Sequence, residues 1–164
     1  MAEFSNYMSP GRKGYLIGIG GVSMSSLAEV LLGMGLNVCG SDFNRSKNVI
    51  ALEAKGIHIE IGHRAENIPA DTDFVVRTAA VRDENPEIQQ AHAMNIPVFE
   101  RTEAWGAISR DYGNAVCISG THGKTTTTSM CTHILMAADK DPTVMIGGTL
   151  PLLILNVKKP LFRQ

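Results

Sequence analysis

Apolar and polar positions along this chain fall into alternating blocks of strand and helix length. Tyr15-Leu16-Ile17-Gly18-Ile19 is a short continuous apolar run, the pattern of a strand covered on both faces. Beyond Gly20-Gly21, residues Met24, Leu27, Ala28 and Leu31 recur at i, i+3, i+4 and i+7, which predicts a helix with one buried face, ended by Gly35. Leu36 to Gly40 reads as a second strand that ends at Ser41-Asp42. Ser46 to Lys55 predicts a helix capped by Ser46 and stopped by Gly56, and the alternating Ile57 to Ile61 a third strand. Asp73 to Arg77 predicts a strand, and Pro86 to Met94 a helix with proline at its permitted first position. Ile96 to Phe99 predicts a further strand and Glu103 to Ile108 a short helix.

Strands alternating with helices predict an α/β fold, a Rossmann-like doubly wound parallel sheet. The polar, turn-rich Arg110-Asp111-Tyr112-Gly113-Asn114 marks a joint, dividing the chain into domains 1–111 and 112–164. The second begins with a strand over 115–119, a helix from about Lys124 to Ala138 and a short strand near Thr143 to Ile146. That is an incomplete P-loop βαβ unit, and one such unit cannot cover both faces of its own sheet.

Composition narrows the function classes. With 164 residues, 44% hydrophobic and 19% charged, the chain has ordinary globular proportions. A formal net charge of −1 argues against nucleic acid as a partner, since a polyanion requires a clustered basic face. No apolar run approaches a membrane span, and the polar start from Met1 to Gly14 lacks a secretory core, so a cytoplasmic protein is expected. Cys39, Cys117 and Cys131, widely spaced in apolar sequence, read as buried reduced thiols. Met24, Met34, Met94, Met130 and Met136 read as core filler, and His58, His92 and His133 as structural histidines.

Two loops carry candidate chemistry. Gly18-Ile19-Gly20-Gly21-Val22-Ser23 stands between a predicted strand and helix and matches the first two glycines of a dinucleotide fingerprint, with Ser23 in place of the third. Asp42 follows about twenty residues on, at the end of the second strand, where a carboxylate can accept from a ribose or a base. A tight turn with no ligand is the alternative. The second loop, Gly120-Thr121-His122-Gly123-Lys124-Thr125-Thr126, follows the apolar Val116-Cys117-Ile118 and opens a helix. Its glycines can turn backbone N–H groups toward an anion, Lys124 can hold β- and γ-phosphates, and the Thr125 hydroxyl can reach Mg2+. Ile118 stands where the usual phosphate loop has its first glycine, which shortens the loop. His122 either touches phosphate or substrate, or caps the loop.

Together these loops resemble the Mur ligase family, and within it the branch that joins L-alanine to UDP-N-acetylmuramate. The resemblance rests on Ile17 to Ser25, Gly40-Ser41-Asp42, Gly62-His63 and Ser119 to Thr127, and runs from about Gly14 to Leu153. It implies an enzyme of peptidoglycan precursor synthesis with three domains, one each for the UDP-sugar, ATP and the amino acid. ATP would phosphorylate the muramoyl carboxylate, and the alanine amine would attack the acyl phosphate through a tetrahedral intermediate. Carried onto this sequence, Gly18, Gly20, Gly21 and Ser25 would surround the UDP pyrophosphate, Asp42 and His63 would lie toward the nucleoside, and Thr78-Ala79-Ala80-Val81 would line the sugar. Gly120, Thr121, His122, Gly123, Lys124, Thr125 and Thr126 would hold ATP, with Lys124 and His122 as catalytic groups and Thr125 on the metal.

The chain departs from the family pattern in three places. Ser23 and Ser26 replace glycines, and Arg77-Thr78-Ala79 replaces a serine-rich run. After Gly147 to Leu153 the likeness ends, and Ile154 to Gln164 reads as unrelated tail. The expectation is a truncated ligase, inactive alone. The alternative is a non-catalytic regulatory module that senses a nucleotide or UDP-sugar through the first loop.

Overall fold

The computed structural model describes residues 2–146. The chain separates into two units, Met1–Gly113 and Asn114–Gln164. In the first, strands Lys13–Ile17 (β1), Asn37–Asp42 (β2), His58–Ile61 (β3), Phe74–Arg77 (β4) and Val98–Glu100 (β5) form one sheet in the order β3-β2-β1-β4-β5. Every pairing is parallel. Helices Val22–Gly33 (α1), Lys47–Glu53 (α2), Pro86–Ala93 (α3) and Arg101–Asp111 (α4) connect and flank the strands.

The apolar run at β1 is explained by burial on both faces. Leu16 packs among Met24, Leu27, Leu31, Phe74, Phe99 and Ile108, whereas Tyr15 and Ile17 pack among Ile68, Val75, Ile88 and Ala91. Strand order reverses at β1, with β2 and β3 to one side and β4 and β5 to the other. Ligands of open parallel sheets bind at such a reversal, outside the carboxyl ends of the strands.

Several expectations shift. The polar N-terminal segment contributes a 3-10 turn, Phe4–Tyr7, whose Phe4 is buried edge-on against Phe74 and Phe99 with ring centroids 5.3 Å apart in both pairs. Helix α4 begins at Arg101 rather than Glu103, because the Glu100 carboxylate and the Glu103 carboxylate form a reciprocal capping box around its first turn.

In the second unit Lys124–Ala137 (α5) is helical. Residues 115–119 and 143–146, predicted as strands, make no strand pairing among the described residues. A parallel strand exists only through ladder bonds to a neighbour, and an apolar run alone does not supply them. Cys117 is exposed rather than buried, and Cys39 and Cys131 are partly buried. Met130, expected in a core, lies 61% exposed on α5 beside exposed Ile134. The readings at Gly147 to Leu153 and Ile154 to Gln164 lie outside the described residues. No helix among the described residues is long and apolar enough to cross a membrane.

Candidate functional site

Because the strands run parallel, the turns after β1, β2, β3 and β4 all leave the sheet at its carboxyl edge. They carry Gly18-Gly20-Gly21, Asp42, His63 and Thr78-Ala79. The first turn is held rigidly. Gly18 and Ile19 donate their N–H groups to the Ser41 carbonyl at 2.8 and 3.0 Å, and Asn48 Nδ2 donates to the Gly20 carbonyl at 2.8 Å. Gly18 has φ +77°, a region that L side chains rarely adopt. At Gly20 a Cβ would lie 2.7 Å from a Val49 methyl and 2.9 Å from Asp42 Oδ2, so no side chain fits.

Asp42 accepts from the Gly20 N–H through Oδ2 at 2.8 Å and from the Asn44 N–H through Oδ1 at 3.1 Å. Its carboxylate therefore braces the glycine turn and retains lone pairs for a further donor. Gly21 caps α1 without a side chain, and the N–H groups of Val22, Ser23 and Met24 find no acceptor among the described residues. Open N–H groups at a helix start suit an anion. Ser25 Oγ donates to the Val22 carbonyl at 3.0 Å, and Ser26 Oγ to the same carbonyl at 3.1 Å. Ser23 Oγ accepts from Trp105 Nε1 at 3.2 Å, linking α1 to α4, a role that a glycine lacks.

Arg77 holds the turn after β4. It donates to the Val81 carbonyl at 3.3 Å and to Glu100 Oε1 at 2.9 Å, and it pairs with Asp83. The Val81 N–H closes the turn on the Thr78 carbonyl at 3.0 Å, with Ala79 exposed at its tip.

Behind this edge lies a buried carboxylate that the sequence reading missed. Glu87, in the first turn of α3, is fully buried. Its Oε1 accepts from Tyr15 Oη at 2.8 Å and Asn67 Nδ2 at 2.7 Å, and its Oε2 from Ser41 Oγ at 2.7 Å and His63 Nδ1 at 2.8 Å. Burial pushes the Tyr15 phenol well above its ordinary value, which keeps it a donor. An acid early in a helix ordinarily reads as a partner of the helix dipole, and no local spacing reveals four partners arriving from the middle of β1, the end of β2, the turn after β3 and the 3-10 turn Ala65–Asn67.

In the second unit the loop 120–126 is exposed. Gly123 caps α5 in the left-handed region at φ +79°. The N–H groups of Lys124, Thr125 and Thr126 have no acceptor among the described residues. Lys124 Nζ curls back onto the Gly120 carbonyl at 2.6 Å and the Thr121 carbonyl at 3.3 Å, which keeps its ammonium on the loop. Thr128, Ser129 and Thr132 donate to the carbonyls four residues earlier, whereas the Thr125 hydroxyl makes no such bond. His122 is exposed beside the lysine. Backbone donors, an ammonium and a hydroxyl form a donor set that fits a triphosphate and its Mg2+. No cluster of three His, Cys, Asp or Glu side chains suited to a metal occurs among the described residues.

Strand order and the glycine turn at its reversal define a doubly wound α/β protein, a class whose ligands bind at the carboxyl ends of the strands. Residues 14–112 match the family described as "Mur ligase family, catalytic domain". The chain belongs to the Mur ligase family. It is 47% identical over 144 residues to a UDP-N-acetylmuramate--L-alanine ligase of Clostridium botulinum (strain Kyoto / Type A2), covering 88% of this chain and 31% of that protein. To the ligase of the same name from Acetivibrio thermocellus it is 51% identical over 136 residues, covering 83% of this chain and 29% of that protein. The crystal structure of UDP-N-acetylmuramate-alanine ligase from Thermotoga maritima superposes with a TM-score of 0.80 at 37% identity, covering 84% of this chain and 32% of that one. The chain thus spans about a third of the length of the curated relatives it matches.

Proposed function

We propose that this chain forms the UDP-N-acetylmuramate grip and the opening of the ATP grip of a ligase that joins L-alanine to that sugar nucleotide in peptidoglycan precursor synthesis. Support comes above all from the carboxyl edge of the sheet, where the braced glycine turn and the open N–H groups at the start of α1 meet Asp42, His63 and Thr78. In this reading Gly18, Gly20, Gly21 and Ser25 take the pyrophosphate, Asp42 and His63 face the nucleoside, and Thr78-Ala79 borders the sugar. The resemblance of the second loop, together with its donor set, supports Gly120 to Thr126 as the ATP cradle. Lys124 would hold phosphate oxygens, Thr125 the Mg2+, and His122 would stand at the phosphates.

ATP, when bound with Mg2+, supplies the phosphoryl group that activates a carboxylate for amide formation. The chain's own residues bind and orient: rigid amides meet the pyrophosphate, and the Lys124 ammonium offsets phosphate charge. Isothermal titration tests both grips. Saturable binding of UDP-N-acetylmuramate is expected, abolished by Gly20→Val and unaffected by Lys124→Ala. ATP binding should weaken at least about tenfold in Lys124→Ala, the loss of one charge-assisted contact. No binding of the sugar nucleotide at millimolar concentration would overturn the first assignment. ATP binding indifferent to Lys124→Ala would overturn the second and favour a module that works through the first loop alone.

A further inference from the structure

We propose that Glu87 is a positioning residue for ligand binding: it holds the proton of His63 on Nδ1 and so presents Nε2, as an acceptor, to a hydroxyl or imide N–H of the nucleoside. The inference rests on the UDP-sugar reading above and adds to it a group seated behind the site.

The geometry carries the argument. Three donors, Tyr15 Oη, Asn67 Nδ2 and Ser41 Oγ, and the ring nitrogen Nδ1 of His63 meet the Glu87 carboxylate, two on each oxygen, and a carboxylate oxygen only accepts. Ser41 Oγ spends its own hydrogen on Glu87 Oε2 at 2.7 Å, so at 3.1 Å from His63 Nδ1 it can only accept. Both atoms that Nδ1 faces are therefore acceptors, and an unprotonated Nδ1 would set lone pair against lone pair. Nδ1–H is the consistent tautomer, and in the neutral ring Nε2 is then the acceptor. Nε2 itself makes no hydrogen bond, and no side-chain nitrogen or oxygen among the described residues is both buried and unpartnered. Nε2 is thus not enclosed, and His63 itself follows Gly62, whose N–H donates to the Asp42 carbonyl at 2.9 Å just past the end of β3. A carboxylate whose sole task was to tie helix to sheet has no need of a ring whose other nitrogen is left bare at the ligand edge.

The test uses the full chain labelled with 15N-histidine. At pH 8, two-bond proton–nitrogen correlations should show His63 protonated on Nδ1 and not on Nε2. UDP-N-acetylmuramate should move its Nε2 resonance by several ppm and leave those of the other histidines in the first unit in place. Glu87→Gln leaves one acceptor oxygen for the two pairs of donors. Its His63 proton is expected to redistribute toward Nε2, with affinity for the sugar nucleotide falling about tenfold, the loss of one hydrogen bond. Tyr15→Phe removes a different donor from the same carboxylate and is expected to lower stability while leaving tautomer and affinity as they were. A merely structural Glu87 would lower stability in both variants and move neither readout.

A proton on Nε2 in the wild-type chain overturns the proposal, as does a folded Glu87→Gln variant of undiminished affinity. If Glu87→Gln does not fold, the wild-type tautomer and its response to ligand decide alone. A wild-type chain that shows the Nδ1 tautomer but binds no sugar nucleotide overturns the parent reading, and the ligand half of this one with it.

Discussion

Asp42 and Asp73 stand on the same sheet and do different work. Asp42 braces the glycine turn after β1, whereas Asp73 secures the opposite, amino end of β1, accepting from the Lys13 N–H at 2.8 Å and from Arg12 Nη1 at 2.6 Å. The backbone N–H and the guanidinium hold the Asp73 carboxyl below the usual aspartate range. A folded value below the unfolded one means that the unfolded chain binds more protons between the two, so stability rises with pH there. The contribution is complete above the unfolded aspartate value of about 3.9 and is lost as pH falls through the lower folded value. Urea midpoints measured from pH 6 down to pH 2 should fall less steeply in Asp73→Asn than in the wild-type chain. Parallel slopes would show that the contact does not discriminate between folded and unfolded chain. At this scale the sequence was legible where chemistry is local. The Gly18-Gly20-Gly21 turn and the Gly123-Lys124-Thr125 step declare themselves by type and spacing. Glu87 and the Trp105 to Ser23 bond do not, since each joins residues distant in sequence through a tertiary fold.

Among the elements, α2 shows how a short helix depends on its first residue. Seven residues from Lys47 to Glu53 are too few to be stable on propensity alone. Ser46 Oγ accepts from the Val49 N–H at 3.3 Å, and Val49 and Leu52 are buried beneath. Ser46→Ala should therefore cost about 1 kcal/mol in equilibrium urea unfolding, the usual worth of a serine N-cap. Because Val49 also closes over Gly20, that variant should loosen the glycine turn as well. Ser46→Asp, which can cap in the same way, should restore stability, and equal loss in both variants would assign the cost to packing instead. The cap was readable before the structure because Ser46 precedes an apolar-periodic stretch. The start of α4 was not read correctly, although Glu100 and Glu103 stand at capping-box spacing, since a glutamate is an uncommon cap and the preceding strand runs directly into it. The apolar run at 115–119 has the composition of a strand, but strand formation is a property of a pair.

Across the molecule, the two units differ in how they are held. The first encloses cores on both faces of a five-stranded parallel sheet, closed on one side by Phe4 and α4 and on the other by α3. Between Gly113 and Gly123 the chain is almost wholly exposed and contributes no helix or strand among the described residues. Backbone without such bonds opens at little cost, and proteases cut where opening is cheap. Limited digestion with a protease of broad specificity should therefore cut first within 114–123, leaving a resistant fragment of residues 1–113 identifiable by intact mass. The turns that hold the proposed sugar-nucleotide residues all belong to that fragment, and Lys124 does not. The fragment should accordingly bind UDP-N-acetylmuramate with the affinity of the full chain and lose the ATP binding that depends on Lys124. First cleavage inside residues 14–112 would show that the sheet is less cohesive than its two cores imply. Sugar-nucleotide binding lost on removal of the second unit would move part of the grip across Gly113, away from the carboxyl edge of the sheet.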